Sequence, residues 1–127
     1  PFPIFPMRYV SNEKELLYIY NAGDLHVTPS LQDNLPNTLF EAMACGIPCL
    51  GFNVVGIPQM IDHLHNGYVA QYKSADDLAN GICWTLTEGD YETLSSEAYR
   101  KAVTTYSEAT VASQYIQIYN HITGKNA

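Results

Sequence analysis

The chain has 127 residues, of which 46% are hydrophobic and 15% are charged. This composition is typical of one ordinary globular domain and excludes a disordered or membrane-inserted chain. The formal net charge of −7 argues against nucleic acid or an anionic membrane surface as a partner of this domain, since both would repel it.

The first 28 residues predict a linker, a helix and a strand. Residues 1–6 are interpreted as a cut linker or the remnant of an earlier element, and residues 7–10 as a short extended run. Asn12, with Glu15 three residues further on, is typical of a helix start, and that helix is expected to continue to Gly23. Residues 24–28 carry β-branched and apolar side chains and then meet a proline, which predicts a strand end.

Residues 29–48 are the stretch around which the rest of the chain is organised. They predict a polar loop, a short helix and the start of a second strand. Asn37 is the expected N-cap of the helix, Gly46 its stop, and Pro48 prevents continuation. Asp33 lies in the loop, and Glu41 lies about one turn into the helix.

The remaining residues continue the alternation of strands and helices. We expect strands at residues 49–52 and 68–72, a short helix from Gln59 to Leu64, and a helix capped by Ser74. Two terminal helices are predicted over residues 91–105 and 107–122. The fold class is therefore α/β: a Rossmann-like parallel sheet of about four short strands flanked by helices.

The start of the helix after the polar loop is suited to an anion. The first-turn amides of Asn37, Thr38 and Leu39 are expected to lack intrahelical partners, and the helix dipole adds partial positive charge there. Asp33 and Glu41 would then flank the anion, as hydrogen-bond acceptors for the hydroxyls of a nucleoside diphosphate sugar. The plainer alternative is that Asp33 only shapes a turn and Glu41 is solvated near the helix dipole.

The same stretch resembles the acidic signature of family 4 retaining glycosyltransferases of the GT-B fold. Pro29-Ser30 and Glu41-Ala42-Met43-Ala44, with Gly46 and Pro48, stand in place, and Asp33 and Glu41 keep the spacing of the paired acids. Further matching positions occur at Tyr20-Asn21-Ala22-Gly23-Asp24, Gly56-Ile57-Pro58, His65-Asn66-Gly67-Tyr68 and Tyr106-Ser107. Three departures are visible: Asp33 replaces a glutamate, Asn34-Leu35-Pro36-Asn37 replaces the usual Gly-Phe-Gly, and Val55 and Gln59 replace a glycine and a glutamate.

The resemblance implies an enzyme of polysaccharide biosynthesis. The full-length protein to which this chain belongs would be a hexosyltransferase. It would move a sugar, with retention, from a nucleotide-diphosphate sugar to a glycan or lipid-linked acceptor. By the same resemblance, Glu41 would bind the ribose diol and Asp33 the hydroxyls of the donor sugar. The other donor-binding positions implied are Asn34, Leu35, Pro36, Asn37, Thr38 and Leu39. Such enzymes need no metal, so neither a metal site nor a cofactor is expected.

The chain is expected to be a fragment. Arg8 is the only basic residue plausibly near the site, yet a diphosphate needs cations, and in the resembling family these precede the stretch seen here. We therefore expect residues 1–127 to be the C-terminal part of a nucleotide-sugar-binding domain, with the N-terminal acceptor domain absent and no transferase activity in this chain alone. Three cysteines without ligand-like spacing read as small buried residues in a reducing compartment, which indicates a cytoplasmic location, with peripheral attachment of the parent at the inner membrane face left open.

Two rival functions remain at this point. One is a non-catalytic α/β binding module, in which the fold persists without chemistry. The other is a different GT-B enzyme, such as a nucleotide-sugar epimerase or a phosphorylase.

Overall fold

The computed structural model describes residues 2–124, which contain three short strands and six helices joined by loops. The strands are β1 (His26–Thr28), β2 (Cys49–Phe52) and β3 (Gly67–Ala70). The helices are α1 (Glu13–Asn21), α2 (Asn37–Ala44), α3 (Ile57–Met60), α4 (Ala75–Thr87), α5 (Tyr91–Tyr106) and α6 (Glu108–Thr123).

The strands form one parallel sheet in the order β1-β2-β3. Thr28 lies opposite Gly51, and Cys49 lies opposite Gly67. The α/β class is confirmed, but the sheet has three strands and not four, because residues 7–10 pair with neither edge and are mostly exposed. An extended run becomes a strand only where a neighbouring strand accepts its backbone hydrogen bonds.

Helices cover both faces of the sheet. Neighbouring residues of a strand point to opposite faces. The Cys49 thiol approaches the carbonyl of Leu39 in α2, at 3.8 Å, whereas the next side chain, Leu50, reaches the backbone of Gly81 in α4. This two-sided cover explains why all four residues of β2 are buried.

The main core lies between the sheet, α2, α3 and α5. Apolar side chains recur on one face of each of these helices, as amphipathic helices require. The members of the core that are no more than 2% exposed and belong to these helices are Leu39, Ala42, Met43, Ile57, Met60, Leu94, Ala98 and Ala102. Cys49 belongs to this core, but Cys83 is exposed, so the expectation of three buried cysteines is wrong for that residue.

Side-chain caps set most helix starts where the sequence placed them. Asn12 accepts hydrogen bonds from the amides of Lys14 and Glu15, and Ser74 accepts one from the amide of Asp77. No helix within residues 2–124 is both long and apolar enough to cross a bilayer.

The predicted helix from Gln59 to Leu64 is wrong in its bounds, because α3 already ends at Met60. The buried side chain of Asn66 explains the early end. It accepts a hydrogen bond from the amide of Asp62, at 2.8 Å, and donates one to the carbonyl of Met60, at 3.3 Å. Leu64 then adopts a positive φ of 64°, which no helix continues through.

Candidate functional site

The loop between β1 and α2, residues 29–36, lies at the carboxyl edge of the sheet, and we call it the acidic loop. It follows β1 directly, and the loop after β2, residues 53–56, leaves the same edge. Carboxyl ends of adjacent parallel strands are where open α/β sheets bind their ligands. The fold therefore brings the two loops together at the place where a site is expected.

Gly56 joins these two loops backbone to backbone. Its amide donates a long hydrogen bond, 3.5 Å, to the carbonyl of Asp33. A Cβ atom added to Gly56 would overlap the carbonyl oxygen of Asn34 and would stand 2.5 Å from the carbonyl carbon of that residue. The position of the acidic loop thus depends on a glycine at position 56.

The start of α2 differs from the prediction by one residue. Asn37 is the first helical residue and not the N-cap, so that prediction is wrong; the N-cap is the buried Pro36, which has no side-chain cap to offer. The proline ring fixes an extended entry at φ −64°, and its carbonyl accepts hydrogen bonds from the amides of Leu39, at 3.0 Å, and Phe40, at 3.4 Å.

Two of the three amides expected to meet an anion remain available. The amide of Leu39 already donates to Pro36. Within residues 2–124, the amides of Asn37 and Thr38 donate to neither backbone nor side chain, and both residues are exposed. Orphan amides at a helix start, together with the helix dipole, favour a bound negative charge.

Glu41 lies in the second turn of α2 and faces α1. The Tyr20 hydroxyl, on α1, donates a 2.8 Å hydrogen bond to Glu41 Oε2. Both side chains line an open groove of about 280 Å³ between the two helices, whose walls are mainly apolar and include Leu16, Leu17 and Phe40. Asp33 does not line this groove.

The pKa values of three groups near Glu41, those of Tyr20, Cys45 and His26, are shifted in the direction that favours their neutral forms. Burial, together with the hydrogen bond to Glu41, raises the pKa of Tyr20 well above its usual value. Burial also raises the pKa of Cys45 and lowers the pKa of His26, although the Glu41 charge opposes the shift of His26. His26 Nε2 shares a 3.0 Å hydrogen bond with the Thr28 hydroxyl.

The other residues chosen from the sequence lie on the acidic loop in different environments. Asp33 is half-buried, Asn34 and Leu35 are exposed, and Pro36 is buried. The structure therefore places Asp33 beside Gly56 and Glu41 beside Tyr20, and the groove that Glu41 lines does not contain Asp33.

Sequence reasoning missed Tyr20 and Gly56 as parts of the site. Both belong to segments that carried the family resemblance, which was the available signal. Tyr20 lies 21 residues from Glu41, so no local spacing announces their hydrogen bond. A contact between backbones, such as that of Gly56 with Asn34, leaves no pattern of side chains at all.

The cations of the described part of the chain lie mostly elsewhere. Arg8 is exposed in the segment before α1. Lys101 pairs with Asp62 at 2.7 Å, and Arg100 pairs with Glu97. Over residues 2–124, no group of three or more His, Cys, Asp or Glu side chains is arranged to hold a metal ion.

A family profile described as glycosyl transferases group 1 matches residues 4–88. The N-acetyl-alpha-D-glucosaminyl L-malate synthase of Bacillus anthracis is 32% identical over 109 residues, which are 85% of this chain and 28% of that protein. The UDP-Gal:alpha-D-GlcNAc-diphosphoundecaprenol alpha-1,3-galactosyltransferase of Escherichia coli is 25% identical over 85 residues, which are 67% of this chain and 22% of that protein.

Among solved structures, sucrose-phosphate synthase from Thermosynechococcus elongatus has the same architecture, with a TM-score of 0.77 and 24% identity. The match covers 89% of this chain and 29% of that one. The chain thus spans little more than a quarter of the length of the Bacillus relative and of this structure.

Proposed function

Because this chain belongs to the glycosyl transferases group 1 family, we propose that the protein carrying it transfers a sugar, with retention, from a nucleoside-diphosphate sugar to a glycan or lipid-linked acceptor. This chain would hold the donor. The observation that carries the proposal is the start of α2: two free amides at the carboxyl edge of a parallel sheet, with a carboxylate one turn further on. The Escherichia coli relative, a galactosyltransferase with a UDP-sugar donor and a lipid-diphosphate acceptor, supports the same chemistry.

The amides of Asn37 and Thr38 would bind the diphosphate. Each can donate one hydrogen bond, and the dipole of α2 adds to the attraction of negative charge. These groups stabilise the diphosphate most when it leaves, because its negative charge then increases.

The two carboxylates would hold the hydroxyl-bearing ends of the donor. Glu41 lies one turn along α2 and lines the groove, and Tyr20 bonds only its Oε2, so Oε1 could accept hydrogen bonds from a ribose diol. Asp33, with Asn34 beside it, lies on the acidic loop that leads into α2 and would bind hydroxyls of the transferred sugar.

The reaction then needs no general acid from these residues. The bond between the anomeric carbon and the diphosphate oxygen breaks, and the acceptor oxygen bonds to the same face of that carbon. The acceptor proton passes to an oxygen of the leaving phosphate. Asp33 and Glu41 contribute by orienting the donor, so removing either changes binding or rate through position and not through proton transfer.

The remaining parts of the reaction would come from outside this chain. We propose that residues 1–127 form the C-terminal part of the donor-binding domain, and that the acceptor binds to another domain of the same protein. The short span of the chain relative to its relatives supports this division. Transferase activity is accordingly proposed for the full-length protein.

The experiment that tests the proposal compares two variants of the full-length protein by calorimetry with UDP and GDP and by sugar-transfer rate. Glu41→Ala is expected to weaken binding of the free nucleotide by about 10- to 100-fold, the equivalent of one lost charge-assisted hydrogen bond. Asp33→Ala is expected to slow transfer with little change in nucleotide affinity, because free UDP carries no sugar.

Glu88→Ala is the matched control, since Glu88 is an exposed carboxylate at the end of α4. It should change neither quantity. Equal losses of nucleotide affinity in the Asp33 and Glu41 variants would refute the division of roles, and the absence of any nucleotide binding would favour a non-catalytic module.

A further inference from the structure

We propose that Tyr20 is a positioning residue for Glu41, and that their hydrogen bond sets the preference of the site for a ribonucleotide over a 2′-deoxynucleotide. The inference rests on the proposed function, since it takes Glu41 as the acceptor for the ribose diol. It adds a residue from α1, a helix to which the role assignment above gives no part.

The hydrogen bond occupies one oxygen of the Glu41 carboxylate. Tyr20 donates to Oε2 at 2.8 Å, so Oε1 is left to receive a hydroxyl from a ligand in the groove. A glutamate on a helix surface otherwise samples many rotamers, and holding it in one of them lowers the entropy that ligand binding must remove. Tyr20 thus acts on the ligand through Glu41.

Tyr20 is itself held in place by its surroundings. Its ring packs against the main core and stands edge-on to the ring of His26, with 5.9 Å between centroids. A tyrosine hydroxyl is protonated at neutral pH in any case, and burial with the Glu41 hydrogen bond raises the pKa of Tyr20 further, so it remains a donor. The hydroxyl is therefore a fixed donor at a fixed place.

The apolar walls of the groove explain why the Tyr20 hydroxyl is important for Glu41. Leu16, Leu17 and Phe40 line the groove, together with the side chains of Glu13, Tyr20 and Glu41. The leucine and phenylalanine side chains offer the carboxylate no hydrogen bond, so the Tyr20 hydroxyl is the protein group that holds it in the groove. Without that hydroxyl, Glu41 is expected to turn toward solvent and away from the diol.

The test measures binding of UDP, GDP and their 2′-deoxy forms to the full-length protein by calorimetry. The wild type is expected to bind the ribonucleotide at least about 10-fold more tightly, because the deoxy form lacks the 2′-hydroxyl and so cannot donate that hydrogen bond to Glu41. Glu41→Ala should reduce this ratio to about 1. Tyr20→Phe should reduce it by about 3- to 10-fold, mostly by weakening the ribonucleotide.

Tyr18→Phe is the matched control, because Tyr18 lies on the same helix and is 73% exposed. It should leave the ratio unchanged. The ratio is measured on one protein sample with two ligands, so partial unfolding of the Tyr20 variant lowers both affinities and cancels.

The outcomes separate this inference from the proposed function. A wild type that does not distinguish the sugars, or a Glu41→Ala variant that still does, overturns the diol assignment and this inference with it. If Glu41→Ala abolishes the preference while Tyr20→Phe keeps the wild-type ratio, only the role of Tyr20 is overturned. A loss of affinity that is equal for the ribo and deoxy ligands also overturns it, since a merely structural tyrosine would give that result.

Discussion

Replacing Gly56 by alanine is expected to displace the acidic loop. The backbone of Gly56 has φ −92° and ψ −13°, a conformation that alanine adopts without strain. The effect of the substitution is therefore steric alone. The new methyl group would overlap the carbonyl oxygen of Asn34 and would approach the Leu35 side chain to 3.1 Å.

The size of the effect follows from this overlap. Real Cβ atoms keep at least 3.0 Å from such neighbours, and the obstacle here is backbone that cannot rotate away. The loop would have to move by roughly 2 Å or more to reach an ordinary contact distance. Overpacking of this kind costs about 1–3 kcal/mol of the free energy of unfolding, and the rigid obstacle places Gly56→Ala near the upper end.

The displacement of the loop should also lower the rate of sugar transfer. Asp33 and Asn34 lie on the part of the loop that Gly56 contacts. Misplacing a substrate-orienting group by about 1 Å can cost on the order of 100-fold in rate. Sugar transfer by the Gly56→Ala protein should therefore fall by about that factor under conditions where the protein is fully folded.

Urea unfolding and the transfer rate together test this prediction, with Gly23→Ala as control. A Cβ at Gly23 would meet only the Tyr20 carbonyl oxygen, at 3.6 Å, which is an ordinary contact. Gly23→Ala should change the free energy of unfolding by no more than about 0.5 kcal/mol. If Gly56→Ala matched the control in both stability and rate, the packing of the two loops described above would be refuted.

Two further predictions concern Val55, in the loop after β2, and His26, the first residue of β1. Val55 is β-branched and has φ 38°, so Val55→Gly should raise the free energy of unfolding by about 1 kcal/mol, as relief of backbone strain outweighs the added freedom of the unfolded chain. Urea unfolding checks this against Val10→Gly, which has no such strain to relieve, and a less stable Val55→Gly protein would contradict it. Burial lowers the pKa of His26 in the folded chain, so the unfolded chain binds a proton more readily and stability should fall as the pH drops below about 6.5. His26→Gln should flatten the pH dependence of the free energy of unfolding between pH 7 and 5, whereas a substitution at the exposed His121, His121→Gln, should not. Equal slopes in both variants would be inconsistent with a half-buried His26 whose pKa is lowered.

Local signals in the sequence predicted most of the secondary structure. The strand at residues 49–52 and the caps at Asn12 and Ser74 follow from hydrophobic runs and from side chains that bond to nearby amides, so neighbours along the chain suffice. The end of α3 could not be found in this way, because the side chain that replaces its helical bonds, Asn66, belongs to a later turn. The prediction of a fourth strand at residues 7–10 was wrong for a related reason. A strand requires a neighbouring strand to pair with, and composition does not show whether one is present.

The sequence proposed the members of the candidate site, but not the contacts between them. The family resemblance selected Asp33 and Glu41, and the structure places the first beside Gly56 and the second beside Tyr20. That Pro36 occupies the N-cap, and that Tyr20 binds Glu41, depend on how separate elements pack against one another. Such packing is a property of the folded chain and has no local pattern.

The most direct measurement is a crystal structure of the full-length protein with UDP bound. We expect diphosphate oxygens within hydrogen-bond distance of the amides of Asn37 and Thr38, and a ribose hydroxyl on Glu41 Oε1 with Tyr20 still on Oε2. A diphosphate bound away from the start of α2, or a ribose that does not touch Glu41, would contradict the assignment of this edge of the sheet as the donor site.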